Sequence, residues 1–302
     1  MSAVKMHEGE FEFDDSLVRG LLAEQFPQWA DLPLKRVASS GTDNAIYRLG
    51  ARLAVRLPRV PWSTGQTEKD LEWLPKLAPQ VPLPLPTPLA LGQPGQGFPW
   101  TWGVYEWIDG ASARLELLAD AGEFATQLAE FILALRHAEL PGGPGAEAER
   151  GQPLSERDAR VREAIGQLEG EIDVAAVTRA WEQGLEAPLL ARAPQWTHGD
   201  LLPGNLVVGP DGRLSAVIDW ACLGLADPAR DLIAAWSLFA GTSREVFRER
   251  LGVDDATWAR GRGWALSVAL IQLPYYLKTN PGIVETAFRI VDAVVADCAR
   301  AA

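Results

Sequence analysis

The sequence predicts an α+β chain of two segregated lobes: a small N-terminal antiparallel β lobe with one helix, then a larger, mostly helical C-terminal lobe. Three observations carry this prediction. Between residues 34 and 57 three short apolar runs are separated by tight turns. After Gly110 the pattern changes to long runs with apolar residues three and four apart. One hairpin signature then interrupts the helical half, where Pro210-Asp211-Gly212 joins an apolar run after Asn205 to the run Leu214–Ile218.

The elements follow in order. Asp14 and Asp15 precede Leu17, Val18, Leu21, Leu22 and Phe26 at helical spacing, and Pro27 stops that helix. Leu34–Ala38, Ala45–Leu49 and Arg52–Leu57 read as a meander of strands, the first two joined by the small-residue turn Ser39-Ser40-Gly41-Thr42-Asp43. A helix is expected from about Thr67 to Leu77, with Leu71, Leu74 and Leu77 on one face. Proline at high density from Pro79 to Pro88 makes an extended connector and forbids a central strand there. Trp102–Ile108 is the next strand, and Asp109-Gly110 ends it. The lobe boundary is placed there, giving 1–108 and 109–302. Helices are then expected over Leu117–Glu139, Ser155–Leu168 and Asp173–Leu185. The segment Pro141–Pro153 has almost nothing to bury and reads as a mobile loop. After the hairpin, Ala226-Asp227-Pro228 opens another helix, and the chain from about Ser243 is helical with a break near Pro281-Gly282.

Bulk properties exclude several function classes. The chain has 302 residues, 47% of them apolar and 23% charged, as in globular proteins. A net charge of −12 is the wrong sign for gripping a phosphate backbone, so no nucleic-acid partner is expected. The two cysteines, Cys222 and Cys298, form no CxxC or Cys/His pattern, which argues against a disulfide framework or a zinc site. The N-terminal residues carry acids and no apolar core, and no apolar run reaches membrane-spanning length. A cytoplasmic location without membrane association is the expectation, and the oligomeric state is left open.

Chemistry concentrates in Trp196–Trp220, WTHGDLLPGNLVVGPDGRLSAVIDW. The hairpin brings Asp219 back beside Asn205. A carboxylate and a carboxamide at one point make a hard-oxygen site suited to Mg²⁺, which keeps waters and takes further ligands from phosphate. Asp200 stands next to that pair, placed to accept a proton. Phosphoryl transfer needs positioning and charge neutralisation, and the chain offers both. Arg56 in the third strand reaches for phosphates, and an acid on the following helix holds it. The Ser39–Asn44 turn lays backbone N–H groups over them. His198 reads as a structural residue of the loop, Asp227 as a helix cap, Cys222 as a buried small residue and the pair Tyr275/Tyr276 as core packing.

HGDLLPGN (198–205) followed by VIDW (217–220) resembles the aminoglycoside phosphotransferase family. That family has a two-lobed protein-kinase-like fold and includes macrolide kinases and other small-molecule hydroxyl kinases. ASSGTDNAIYRLG (38–50), LAVRLPR (53–59), the stretch 68–110 and ADPARDLIAAW (226–236) are similar to its phosphate-covering hairpin, third strand, helix with hinge, and post-metal helix. The resemblance implies ATP as phosphoryl donor, with GTP open as a substitute, and Mg²⁺. Asp200 would be the catalytic base and Asn205 and Asp219 the metal ligands. Ser39, Ser40, Gly41 and Asn44 would belong to the phosphate hairpin. Adenine would bind the carbonyl of Glu106 and the N–H of Ile108, and Asp231 would brace the catalytic loop.

Arginine stands where the family usually has a third-strand lysine, so Arg56 would grip phosphate through a fork. Its partner is Asp70 by register, with Glu68 the rival. The implied acceptor is a small-molecule hydroxyl, with an aminoglycoside matching the acidic balance. A macrolide or metabolite hydroxyl, and a non-catalytic nucleotide-binding module, are the alternatives.

Overall fold

The computed structural model describes residues 7, 9–37, 41–143, 153–190 and 193–301. Among them the chain divides into two compact units, one of residues up to Pro79 with Pro84–Asp109, the other of Gln80–Leu83 with Gly110 onward.

The first unit begins with α1, Asp15–Gln25, whose N-terminal N–H groups of Ser16 and Leu17 are taken by the Asp14 carboxylate. A five-stranded antiparallel sheet follows, with β1 Leu34–Arg36, β2 Asn44–Leu49, β3 Leu53–Pro58, β4 Pro88–Gly92 and β5 Trp102–Glu106 in the order β1-β2-β3-β5-β4. Val18, Leu21 and Leu22 of α1 pack on Tyr47, Leu49, Val55, Leu57, Trp102 and Val104 of the sheet. The helix α2, Gln66–Leu77, buries Thr67, Asp70, Trp73, Leu74 and Leu77.

Two details differ from the sequence reading. Leu71 is only half-buried, because Trp73 takes its place on the inner face. The proline-rich connector runs into β4, a strand the composition hid. β4 starts with Pro88 and sits at the sheet edge, where a missing N–H costs the ladder nothing.

The second unit is mostly helical. Its helices are α3 Ala121–Arg136, α4 Asp158–Gln167, α5 Val174–Glu186, α6 Ala234–Ser237, α7 Thr242–Leu251, α8 Asp255–Tyr276 and α9 Pro281–Ala301. The start of α3 falls later than the apolar pattern suggests, because Asp120 caps it after a 3₁₀ turn at Leu115–Leu117. The chain after Ser243 breaks at Gly252, in the left-handed conformation, as well as before Pro281. The segment expected as a loop at Pro141–Pro153 lies largely outside the described residues.

Two small sheets hold the site. β8, Leu206–Val208, pairs with β9, Leu214–Val217, and with the two-residue strand β6, Ala111–Ser112. β7, Gln195–Thr197, pairs with β10, Gly224–Ala226. The strands β6, β7 and β10 are too short to show a period in the sequence.

Candidate active site

The second unit gathers the motif residues on a loop between β7 and β8. Residues 203–205 make a 3₁₀ turn, opened by Pro203. Asn205 donates through Nδ2 to the Asp200 carbonyl at 2.8 Å and to Asp200 Oδ2 at 2.9 Å. One carboxamide therefore fixes both the backbone and the carboxylate of Asp200. The hairpin then returns the chain: Leu206 faces Val217, and the Ile218 N–H donates to the Asn205 carbonyl at 2.9 Å. Gly212, at φ +75°, supplies the left-handed residue of its turn.

Asp219, the next residue, is exposed and sits at φ 64°, ψ 72°. This left-handed conformation costs a non-glycine residue on the order of 1 kcal/mol or more and clusters at functional sites.

The donor set can be tested for a metal. Asn205 commits its amide hydrogens to Asp200, which leaves its Oδ1 as the acceptor end of the group. The Asp219 carboxylate, on the residue after Ile218 whose N–H meets the Asn205 carbonyl, is the second hard oxygen donor. That set fits Mg²⁺, which retains waters and phosphate oxygens in its shell. Among the described residues no group of three or more His, Cys, Asp and Glu forms a cage for a metal.

Beneath the loop lies a buried polar layer. His198 is wholly buried and accepts the Asp200 N–H at Nδ1, 3.2 Å, while Nε2 meets the Ile218 carbonyl at 3.0 Å. These bonds require the neutral ring protonated at Nε2. Trp220 packs edge-on to it, centroids 4.7 Å apart. Burial holds the His198 pKa below its ordinary 6.5, against the nearby carboxylates Asp231, Asp200 and Asp219. Below pH 6.5 the unfolded chain therefore binds a proton that the folded chain refuses, and stability is lost as pH falls. Denaturant midpoints compared at pH 7.5 and pH 5.5 should show a smaller drop for His198→Gln than for the parent protein.

The Asp231 carboxylate, fully buried, accepts the His198 N–H at 3.1 Å and the Gly199 N–H at 2.7 Å. Gly199 has φ +80°, and a Cβ there would lie 2.6 Å from Arg230 Nη2, which donates to the Gly199 carbonyl. Asp227 caps the 3₁₀ segment Pro228–Ile233 by taking the Ala229 N–H, and both its oxygens accept from Arg260, at 2.6 and 3.2 Å. That segment, expected as α-helix, is pressed against α8 so closely that a Cβ on Gly261 would lie 2.7 Å from Leu232. Arg136 donates to the Pro228 carbonyl, and burial lowers its pKa against the pull of Asp231 and Asp227.

The first unit holds a second set. Arg56 Nη1 lies 3.1 Å from Asp70 Oδ2, which also accepts the Tyr105 hydroxyl at 2.9 Å. Asp70, 3% exposed, is the acid the Arg56 guanidinium meets. Arg56 Nη2 donates to Gln66 Oε1, which also takes Asn44 Nδ2 at 3.2 Å. Gln66 and Tyr105 thus position Arg56, and no sequence signal marked either. Arg59 N–H meets the Asp43 carbonyl at the foot of the β1–β2 turn that contains Gly41. Ser39 and Ser40 lie outside the described residues. Glu106 ends β5 with its N–H on the Thr87 carbonyl, and Ile108 follows two residues on.

Comparison with known proteins gives this arrangement a family. The family model for the phosphotransferase enzyme family, APH, matches residues 35–264. The solved complex of APH(2")-IIia with GDP and kanamycin superposes with a TM-score of 0.74 at 17% identity, covering 93% of this chain and 98% of that one. The ternary complex of APH(2")-IIa with streptomycin and ATP gives 0.61 at 16% identity, over 94% and 99%. Macrolide 2'-phosphotransferase type I gives 0.62 at 17% identity, over 93% and 97%. At these identities the superpositions speak for the fold. No curated protein matches the sequence. The family model covers well over half of the chain, and with the kinase-like fold it places this protein in the phosphotransferase enzyme family, as a small-molecule kinase.

Proposed function

We propose that this protein transfers the γ-phosphoryl group of ATP to a hydroxyl of an aminoglycoside-type acceptor. The observation that carries the proposal is the double hold of Asn205 on Asp200, which aims one carboxylate while leaving oxygen donors at Asn205 and Asp219. Asp200 takes the proton of the acceptor hydroxyl as its oxygen bonds to the γ-phosphorus and the bond to the β-phosphate oxygen breaks. Asn205 keeps the Asp200 carboxylate in line during that transfer. Asn205 Oδ1 and Asp219 would hold Mg²⁺, which when bound neutralises phosphate charge. Arg56, held by Asp70, Gln66 and Tyr105, serves the phosphates. The Gly41–Asn44 turn covers them, and Glu106 and Ile108 offer backbone groups to the base.

The net charge of −12 and the kanamycin and streptomycin complexes among the structural neighbours support a cationic acceptor. The GDP and ATP in those same complexes make both triphosphates donors to be tried. The test is a coupled assay of nucleoside diphosphate release with ATP and with GTP across aminoglycosides, macrolides and simple amino alcohols. Acceptor-dependent turnover with an aminoglycoside is expected. Turnover confined to a macrolide would replace the acceptor assignment. Nucleotide binding without transfer to any acceptor would leave a binding module. Asp219→Ala should abolish Mg²⁺-dependent nucleotide binding, measured separately by titration calorimetry.

A further inference from the structure

The peptide unit that leads into Asp200 is gripped at both of its polar atoms. The Asp200 N–H meets His198 Nδ1 at 3.2 Å, and the Gly199 carbonyl accepts Arg230 Nη2 at 3.3 Å. That unit is planar, so holding its two ends sets the direction in which Asp200 leaves the backbone. Gly199 admits the guanidinium because it carries no side chain. A Cβ there would lie 3.1 Å from Arg230 Cζ and 3.1 Å from Cys222 Cβ.

A bond of 3.3 Å is long and weak by itself, so the guanidinium has to be placed by what carries it. Arg230 is 3% exposed, and its Cζ stands over the Trp264 ring, 5.3 Å from the centroid. Trp264 lies on α8 and is 4% exposed. A second guanidinium, that of Arg157 in the 3₁₀ turn Leu154–Arg157, stands over the same ring at 5.5 Å. Arg157 Nε donates to Ser267 Oγ at 3.1 Å, and the Ser267 hydroxyl donates to the Trp264 carbonyl at 3.0 Å. Close packing seats the helix around the ring. A Cβ on Gly261 would lie 2.7 Å from Leu232 Cδ1, and one on Gly263 would lie 2.7 Å from Leu154 Cδ1.

We infer that Trp264 is a positioning residue for Asp200, acting through Arg230: its indole face carries the guanidinium that sets the Gly199–Asp200 peptide. This rests on the phosphotransferase reading given above. Trp258 supplies the contrast. It sits on the same helix, is 5% exposed and also has a guanidinium over its ring, that of Arg248 at 5.0 Å. Arg248 pairs with Asp255 of that helix rather than with the Asp200 loop. Similar burial and a similar ring contact therefore separate support of the fold from support of Asp200.

Hydrogen–deuterium exchange of the full chain, read over residues 198–202, tests the positioning, and kcat on an acceptor identified by the panel tests its consequence. Trp264→Leu should raise exchange over 198–202 and lower kcat by about tenfold to a hundredfold, with Mg·AMPPNP affinity within about twofold of the parent protein. Trp264→Phe also leaves a cavity but keeps an aromatic face, and it should recover most of the lost kcat. Arg230→Met, with the ring left in place, should reproduce both changes, and Arg230→Lys, which restores a cation, should recover part of the kcat. Trp258→Leu should lower the melting temperature and leave exchange over 198–202 and kcat as they are in the parent protein. Should Trp264→Leu fail to fold, unaltered exchange in Arg230→Met would overturn the inference by itself. Unaltered exchange over 198–202 in Trp264→Leu, or an equal kcat loss in Trp258→Leu, would overturn it while leaving the phosphotransferase reading intact. A parent protein that transfers to no acceptor would overturn both.

Discussion

Asp200→Asn should lower kcat by about a thousandfold on any acceptor the panel identifies, with nucleotide affinity unchanged. Asparagine is the informative replacement because it keeps the shape of the site. The bond from Asn205 Nδ2 to the backbone carbonyl of residue 200, at 2.8 Å, is untouched. The bond to the side chain, at 2.9 Å, survives through the remaining oxygen. His198 still receives the backbone N–H of residue 200. The loop therefore stays in place, and the change is confined to proton affinity, since a carboxamide cannot take the hydroxyl proton. Steady-state kinetics with the nucleotide varied at saturating acceptor reads both quantities. Near-parental turnover in Asp200→Asn would remove Asp200 from the role of base, and a parallel loss of nucleotide affinity would assign it to the metal instead.

The parts of the chain legible in advance share one property: their signal is local. The caps at Asp14 and Asp173 announce α1 and α5 because a carboxylate before an apolar stripe has one good use. The Asp211-Gly212 turn announces the β8–β9 hairpin because glycine is needed at φ +75°. The motif order Asp200, Asn205, Asp219 is readable for the same reason, since five residues of loop put Asn205 on Asp200 and one hairpin returns the backbone at Ile218 to Asn205.

What escaped was set by partners distant in sequence. β7 and β10 are three residues each and exist because they pair with one another across the loop. The edge strand β4 was masked by proline and exists because β5 gives it a neighbour. Gln66 meets Arg56 from a helix start, Tyr105 acts on it through Asp70 from a strand end, and neither carries a motif. Choosing Asp70 over Glu68 depends on the face of α2 that is buried. Asp70 lies inward with Thr67 and Trp73, a distinction the acids themselves do not encode.

The second large effect is expected at Asp231. Its two oxygens accept the backbone N–H groups of His198 and Gly199, and it lies fully buried near the Arg136 guanidinium. Asp231→Asn keeps the volume but replaces one acceptor oxygen by an amino group. That group must face a backbone N–H, so a donor opposes a donor, and a buried carboxylate that offsets the desolvated Arg136 is gone. Removing one partner from such a buried charge arrangement costs roughly 3–5 kcal/mol, because the groups left behind remain out of water. For a unit of this size that corresponds to a fall in melting temperature of roughly 6–20 °C, measurable by scanning calorimetry. Turnover should fall as well, even well below the melting temperature, because His198 and Gly199 carry the backbone into Asp200 and its aim depends on theirs. Asp227→Asn is the matched comparison. It weakens the pair with Arg260 and should lower the melting temperature, but it touches neither loop N–H and should leave kcat within a few-fold of the parent protein. Equal loss of kcat in the two variants would mean that Asp231 acts only through stability, and an unaltered melting temperature in Asp231→Asn would mean that the buried layer tolerates a neutral acceptor.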